Sequence, residues 1–387
     1  MTEIYLDNSA TTKPTKNVIK AINKTLKNNY GNPSSLHNKG LKAEKILKKT
    51  RKSIAEKLEV SSNEILFTSG GTEANNLALK GIAKSYKNRG KHLITTKIEH
   101  PAVLNVFNYL EKNGFEVSYL DVDENGLISL KELKNKITNN TILVSIMHVN
   151  NEIGSIQPIA KAGKIIKEEN KLCFFHTDAV QSFGKIYLNP KKMNIDLLTI
   201  SGHKIHGPKG VGALYFKDKI KLNPLILGGG QENNLRSGTE NTSGISGFNA
   251  AVKKLPEFNQ KSNFDEKINE LKNYFLQKLK VNNDKLPEFK INNLLDNNGA
   301  PHIINLSFPE LRGEVIVRSL EKEGIYISTG SACHSRKKEQ NNTLKAINLS
   351  EKMLNGTIRI SFSAYNNKKE IDYTIKKLIE QLDFLSI

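Results

Sequence analysis

Ser201-Gly202-His203-Lys204 places an amine and an imidazole among small residues, directly after an apolar, strand-like run at 196–200. The loop that follows, 205–212, is too rich in glycine and proline to be helical. A lysine at a strand end, flanked by His203 and His206, is partly withdrawn from water and crowded by positive charge. Both conditions favour a nucleophilic amine. On these residues alone, a solvated loop lysine is an equal alternative, since this chain is full of lysines.

Other segments have the same layout. Ser69-Gly70-Gly71-Thr72 follows a strand-like run and opens a helical one, so its amides and the Thr72 hydroxyl suit a phosphate. The Gly-Lys-Ser/Thr signature of a P-loop is missing there. Asp178 follows the apolar run 171–176, where an open α/β sheet binds ligands; a protonated heterocyclic nitrogen would be a fitting partner, and a helix N-cap is the plain alternative. His100, in Glu99-His100-Pro101, stands where an imidazole can stack on an aromatic cofactor, shuttle protons or simply begin a helix. Asn150 and Asn151 follow a further run. Strand ends of a parallel sheet converge, so these segments make coincidence less plausible together than singly.

Two more residues invite chemistry. Cys333 sits among Ser, Thr, Gly, Ala and then basic and asparagine residues, which reads as an exposed loop thiol. Cys173 lies inside an apolar run and reads as core. Arginine is scarce beside lysine, and Arg359 lies in the strand-like 357–362; its planar fork suits a carboxylate, either of a substrate or of a structural salt bridge.

The elements that must position these groups follow from periodicity. Runs at 64–68, 92–96, 115–120, 141–147, 171–176, 196–200 and 212–216 read as strands, with helical patterns such as 72–86 and 158–169 between them. Helical stretches at 16–28 and 35–58 precede them. Near-continuous apolar strands alternating with helices predict an α/β fold with a mostly parallel, seven-stranded sheet covered on both faces. After about residue 255 the order changes: a helical stripe from Phe264 to Leu279, strands at 301–308, 325–328 and 357–362, and helices at 313–323 and 368–385. This predicts a smaller α+β domain. The expected division is 16–258 for the large domain, with 1–15 and 259–387 forming the small one.

Bulk properties narrow the class. At 387 residues the chain exceeds the ~250–300 at which a single core stops growing. Two cysteines fit a reducing compartment and exclude a disulfide scaffold or a four-thiolate zinc site. Neither a signal peptide nor a membrane span is read, so a cytoplasmic protein with no membrane partner is expected. The net charge of +19 is spread as scattered lysines without an RNA-recognition motif or zinc-finger spacing. Direct nucleic-acid binding is therefore not expected, and an acidic partner such as tRNA or an acidic protein stays open as the lesser alternative.

Taken in order, Asp7-Asn8-Ser9-Ala10-Thr11-Thr12, Gly31-Asn32-Pro33-Ser34-Ser35, Ser69 to Asn76, Glu99-His100-Pro101, Asn150 to Gly154, Asp178-Ala179-Val180-Gln181, Ser201 to Lys204, Arg236-Ser237-Gly238-Thr239, Gly330 to Cys333 and Ile358-Arg359-Ile360-Ser361 resemble the NifS/IscS-type cysteine desulfurases. These are class V pyridoxal-phosphate enzymes of fold type I, and the likeness covers nearly the whole chain. The resemblance implies that Lys204 holds pyridoxal 5'-phosphate as a Schiff base and moves the substrate proton. It implies that Asp178 pairs with the ring nitrogen, Gln181 with the ring hydroxyl, and that His100 stacks on the ring. Gly71, Thr72, Ser201 and His203 would take the phosphate, joined by Thr239 of a second copy in a homodimer. Arg359, Asn32 and Asn151 would hold the carboxylate of L-cysteine, Asn151 also meeting the cofactor. Cys333 would accept the sulfur as a persulfide, for an iron–sulfur scaffold or a tRNA thiolase. A selenocysteine lyase, or another class V enzyme, is the nearest alternative. The Ser-Ala-Cys segment resembles the long-loop group. Departures are Gly71, where alanine is frequent, Ile205-His206 for an aromatic pair, and Ser363-Ala364 for Gly-Arg. The short stretch after the last helix puts scaffold docking in doubt and leaves a tRNA-thiolation acceptor open.

Overall fold

The computed structural model describes residues 3–258, 265–296, 298–330 and 342–385. The chain opens with a short strand, Ile4–Tyr5 (β1). The large sheet follows: Ile65–Thr68 (β2), His92–Thr96 (β3), Glu116–Leu120 (β4), Thr141–Ser145 (β5), Phe174–Asp178 (β6), Leu197–Ser201 (β7) and Gly212–Phe216 (β8). Their order is β2-β8-β7-β6-β5-β3-β4. Only β8 runs antiparallel to its neighbours, β2 and β7; the other pairings are parallel.

Alternation along each strand explains the two-sided burial. Leu66, Leu93, Leu143, Leu197 and Leu214 point into one core with the helices Gly71–Tyr86 and Pro101–Lys112. Their neighbours Phe67, Ile94, Val144, Leu198 and Ala213 enter the other, with Ile54 of the helix Asn38–Leu58, Ile166 of Ile159–Glu169 and Phe248 of Thr242–Val252. The α/β fold with a mostly parallel seven-stranded sheet is therefore as the sequence predicts.

A separate core surrounds a second sheet of Lys290–Ile291 (β9), Ile303–Ser307 (β10), Ser328–Thr329 (β12) and Thr357–Ser361 (β13), ordered β12-β13-β10-β9; Ile325–Tyr326 (β11) pairs with β1 instead. Ile268, Leu271, Phe275 and Leu279 from the helix Glu266–Val281 pack there with Ile371, Ile375, Leu378 and Leu382 from Lys368–Leu385. Ile4 and Leu6 join the same core, so the first residues fold with the last third of the chain.

Several boundaries differ from the sequence reading: the run 325–328 divides into β11 and β12, which join different sheets, and two differences bear on the site. The run 171–176 is a strand only from Phe174, and it continues to Asp178. Asn170 causes the shift: its side chain accepts from Leu172 N at 3.0 Å and its carbonyl from Cys173 N at 3.1 Å, closing a turn where strand was expected. Likewise β5 stops at Ser145, because Met147 N donates to the Glu99 side chain at 2.7 Å and not to a strand.

Candidate active site

The C-terminal ends of β2, β3, β5, β6 and β7 open into a cavity of about 210 Å³. Its wall includes Gly71, Thr72, His100, Asn151, Asp178, Gln181, Ser201, His203, Lys204 and Arg359. Ten residues singled out from sequence thus share one space.

Lys204 ends a single 3₁₀ turn, Gly202–Lys204, that follows β7 directly. A Cβ on Gly202 would lie 3.0 Å from Val211 Cγ1 and 3.1 Å from the Val211 carbonyl, so this turn suits glycine. The turn is clamped from outside the sheet. Thr12 N and Oγ1 both donate to the His203 carbonyl, at 2.9 and 2.8 Å, and Thr12 Oγ1 accepts from His206 N at 2.6 Å. The Lys204 amine donates to the carbonyls of Ser9 at 2.5 Å and Ala10 at 2.9 Å. Burial, with Lys204, Lys209 and Lys185 nearby, pushes the His203 imidazole down to about 4, so it is neutral near pH 7.

Asp178 is the last residue of β6 and is buried. Its Oδ2 accepts from Asn75 Nδ2 at 2.7 Å and its Oδ1 from Val180 N at 3.0 Å. These donors fix the carboxylate at the cavity wall. Gln181 donates through Nε2 to the Ser9 carbonyl at 2.9 Å. His100 caps the helix Pro101–Lys112, its Nδ1 accepting from Ala102 N at 3.0 Å, so it both starts the helix and lines the cavity. Beside it Glu99 is buried, and burial raises its carboxyl to about 8.

Gly71 and Thr72 open the helix Gly71–Tyr86, aiming its first amides at the cavity with Ser201 opposite. A Cβ on Gly71 would lie 2.9 Å from Val180 Cγ2, so the backbone approaches closely here.

Arg359 comes from the other sheet and is 2 % exposed. Its Nη2 meets Asp7 Oδ1 at 2.8 Å and its Nη1 donates to the Asn151 carbonyl at 2.8 Å. The structural salt bridge weighed from sequence is therefore present. Yet Nε has no partner among the described residues, and the side chain still lines the cavity.

Two sequence candidates lie elsewhere. Asn32 is exposed and uses its Oδ1 to accept from Ser34 N at 2.9 Å. Thr239 is exposed and outside the cavity of its own chain. Cys333 falls outside the described residues. Asn150 orders its turn: Oδ1 accepts from Glu152 N and Ile153 N at 2.9 and 3.0 Å. Cys173 is buried, and desolvation raises its thiol to about 12, which leaves it inert.

The sequence reading missed Asn75, Ser9 and Ala10 as individual contributors. Asn75 falls in a helical pattern, where a polar residue reads as a wet face; Ser9 and Ala10 act through backbone carbonyls, which carry no side-chain signal.

The donor set fits pyridoxal phosphate. A helix N-terminus with hydroxyls stands ready for a phosphate, a held carboxylate for a ring nitrogen and an amine for an aldehyde. Ser9 Oγ, Asn75 Oδ1 and Arg359 Nε are buried at the cavity without partners among the described residues, as a site awaiting a polar ligand requires. Among the described residues no His, Cys, Asp and Glu grouping could hold a metal ion, and no helix is long and apolar enough to cross a membrane.

Comparison with known proteins agrees. The Aminotransferase class-V profile matches residues 4–374. A cysteine desulfurase IscS of Dictyoglomus turgidum is 43% identical over 388 residues, covering 99% of this chain and 96% of that protein. One from Clostridium botulinum is 43% identical over 98% of this chain and 95% of its own. Among solved structures, a NifS-like protein superposes with a TM-score of 0.90 at 37% identity, covering 99% of this chain and 100% of that one. A structure described as SspA in complex with cysteine gives 0.81 at 38% identity, covering 95% of this chain and 100% of that one. The chain belongs to the class V aminotransferase family and, within it, to the pyridoxal-phosphate-dependent cysteine desulfurases of the NifS/IscS type.

Proposed function

We propose that this cysteine desulfurase transfers the sulfur of L-cysteine to Cys333 and passes it, as a persulfide, to an acceptor protein serving iron–sulfur cluster assembly or tRNA thiolation. The observation that carries the reading is the meeting of Lys204, Asp178, His100 and Arg359 in one cavity. Bound pyridoxal phosphate supplies an electron sink for the carbon bearing the amino group.

The residues divide the remaining work. Lys204 anchors the cofactor and then carries the proton from the substrate α-carbon. Asp178, fixed by Asn75 and Val180 N, keeps the ring nitrogen protonated. Gln181 would bond the ring hydroxyl and His100 would stack on the ring. Gly71, Thr72, Ser201 and His203 would hold the phosphate; His203, kept neutral by burial, could donate one hydrogen bond there without adding charge. Arg359, with Asn151, orients the substrate carboxylate. The Cys333 thiolate attacks the substrate sulfur. The carbon–sulfur bond breaks, a sulfur–sulfur bond forms on Cys333, and the released carbon gains a proton to give alanine.

We further infer a homodimer in the cytoplasm. Thr239 is exposed and does not line its own chain's cavity, which suits a role in a neighbouring copy's phosphate site, and the exposed Asn32 belongs to the substrate's surroundings on the same reading. The two hydrophobic cores support a division into residues 16–258 and a small domain of 1–15 with 259–387.

Replacing Cys333 by alanine tests the central step. The variant is expected to bind cofactor and cysteine while losing protein-bound persulfide, read by alkylation and mass spectrometry, with alanine production down at least ~100-fold. Alanine and sulfide formed at the wild-type rate would overturn the role of Cys333.

A further inference from the structure

Lys185 is a buried lysine next to the site, only 6 % exposed. Another buried lysine, Lys272, donates to the carbonyls of Ala300 at 3.0 Å and Leu294 at 3.5 Å, so packing accounts for it. Lys185 is different. Its amine approaches Gln181 Oε1 at 3.4 Å. The charges that bear on it, Lys204 and Arg359, are both positive. It also lines a second cavity, of about 100 Å³, whose wall includes Lys204. Lys204 therefore borders two cavities, a front one lined by the site residues and a rear one lined by Lys185.

An ammonium only donates hydrogen bonds, so Lys185 selects the Gln181 oxygen. The Gln181 nitrogen is then left to donate to the Ser9 carbonyl at 2.9 Å, the same oxygen that receives Lys204 at 2.5 Å. Lys185, Gln181, Ser9 and Lys204 form one connected chain. We propose that Lys185 is a positioning residue for Lys204: its amine fixes which way the Gln181 amide faces, and its positive charge eases proton release at Lys204. The proposal rests on the roles given above to Lys204 and Gln181.

The surroundings support an electrostatic effect. Burial first, then Lys204 and Arg359, push the Lys185 amine down to about 7, so its charge changes in the neutral range. His203 and His206, on the turn after β7, are lowered chiefly by burial, as is His302 just before β10. A neutral His203 and His302 leave Lys204 and Arg359 as the nearby charges, with Lys254 and Asp265 on the rear cavity's wall. Like charges inside a protein are weakly screened, and the effect of Lys204 on Lys185 must be returned.

The holoenzyme with Lys185→Met or Lys185→Gln tests this. Methionine removes both donor and charge; glutamine keeps an N–H donor and removes the charge. The readouts are the pH midpoint of the lysine-bound cofactor's absorbance and the cofactor dissociation constant. Both variants are expected to raise the midpoint by about one pH unit. Only Lys185→Met is expected also to weaken cofactor binding, by about tenfold. If Lys185→Met does not fold, Lys185→Gln still carries the electrostatic test. An unchanged midpoint in the folded variants, beside a normal wild-type band, overturns the role of Lys185 alone. A wild-type protein with no lysine-bound cofactor band overturns the assignment of Lys204 and this proposal with it.

Discussion

The two sheets reach the same cavity by different routes. The large sheet delivers groups from strand ends: His100 after β3, Asn151 after β5, Asp178 at the end of β6 and Lys204 one turn beyond β7. The small sheet delivers Arg359 from the centre of β13. Strand ends converge because parallel topology aligns them, whatever the details of packing. A side chain on the flat of a strand reaches a site only if something else holds it there. For Arg359 that support is Asp7 from the first residues of the chain and the Asn151 carbonyl from the turn after β5.

Substitution at the two kinds of position should separate them. Lys204→Ala should have the largest effect: no lysine-bound cofactor band and turnover lowered at least ~10⁴-fold, with the cooperative unfolding transition retained. Survival of the band would place the cofactor elsewhere and break the comparison at once. Arg359→Lys should keep the band and lower kcat/KM for cysteine about 100-fold, mostly through KM, because an ammonium cannot reproduce the fork. It should also lower the thermal midpoint, since Asp7 and Asn151 lose a shared partner. A kcat effect with unchanged KM would mean that Arg359 acts on the cofactor side and not on substrate.

The smallest effect is on stability. His148, just past β5, is buried, and desolvation pushes it down to about 4. A depressed histidine stabilises the fold above its unfolded value near 6.5, and that stability is lost as pH falls through about 4. Between pH 7 and 4, His148→Gln should lose about 3 kcal/mol less than the wild type in denaturant titrations. Parallel curves for the two proteins would mean that acid enters the large sheet elsewhere.

Much of the site was legible because topology alone places it. Lys204 and Asp178 are conspicuous as polar groups ending apolar runs, and a parallel sheet brings such ends together. The actual end of β6 was not legible, since a turn set by Asn170 shifts the strand toward Asp178. Asn75 was hidden because its burial depends on the end of β6 lying beside its helix, a tertiary fact that periodicity does not carry. Lys185 was hidden by composition, as one lysine among many. For Arg359 the sequence offered a substrate carboxylate or a salt bridge, and the structure shows the salt bridge together with a cavity-facing position.

The segment from Ile4 to Thr12 joins the small-domain core at one end and holds the Lys204 turn at the other. In mechanical terms it is a tether: tension applied ahead of Ile4 passes Asp7, which grips Arg359 on β13, and then reaches the Ser9 and Ala10 carbonyls that hold the amine. A fusion partner or surface linkage at that end therefore pulls on the chemistry, whereas one placed beyond the helix Lys368–Leu385 pulls on packing. For handling this enzyme, that makes the far end the better grip.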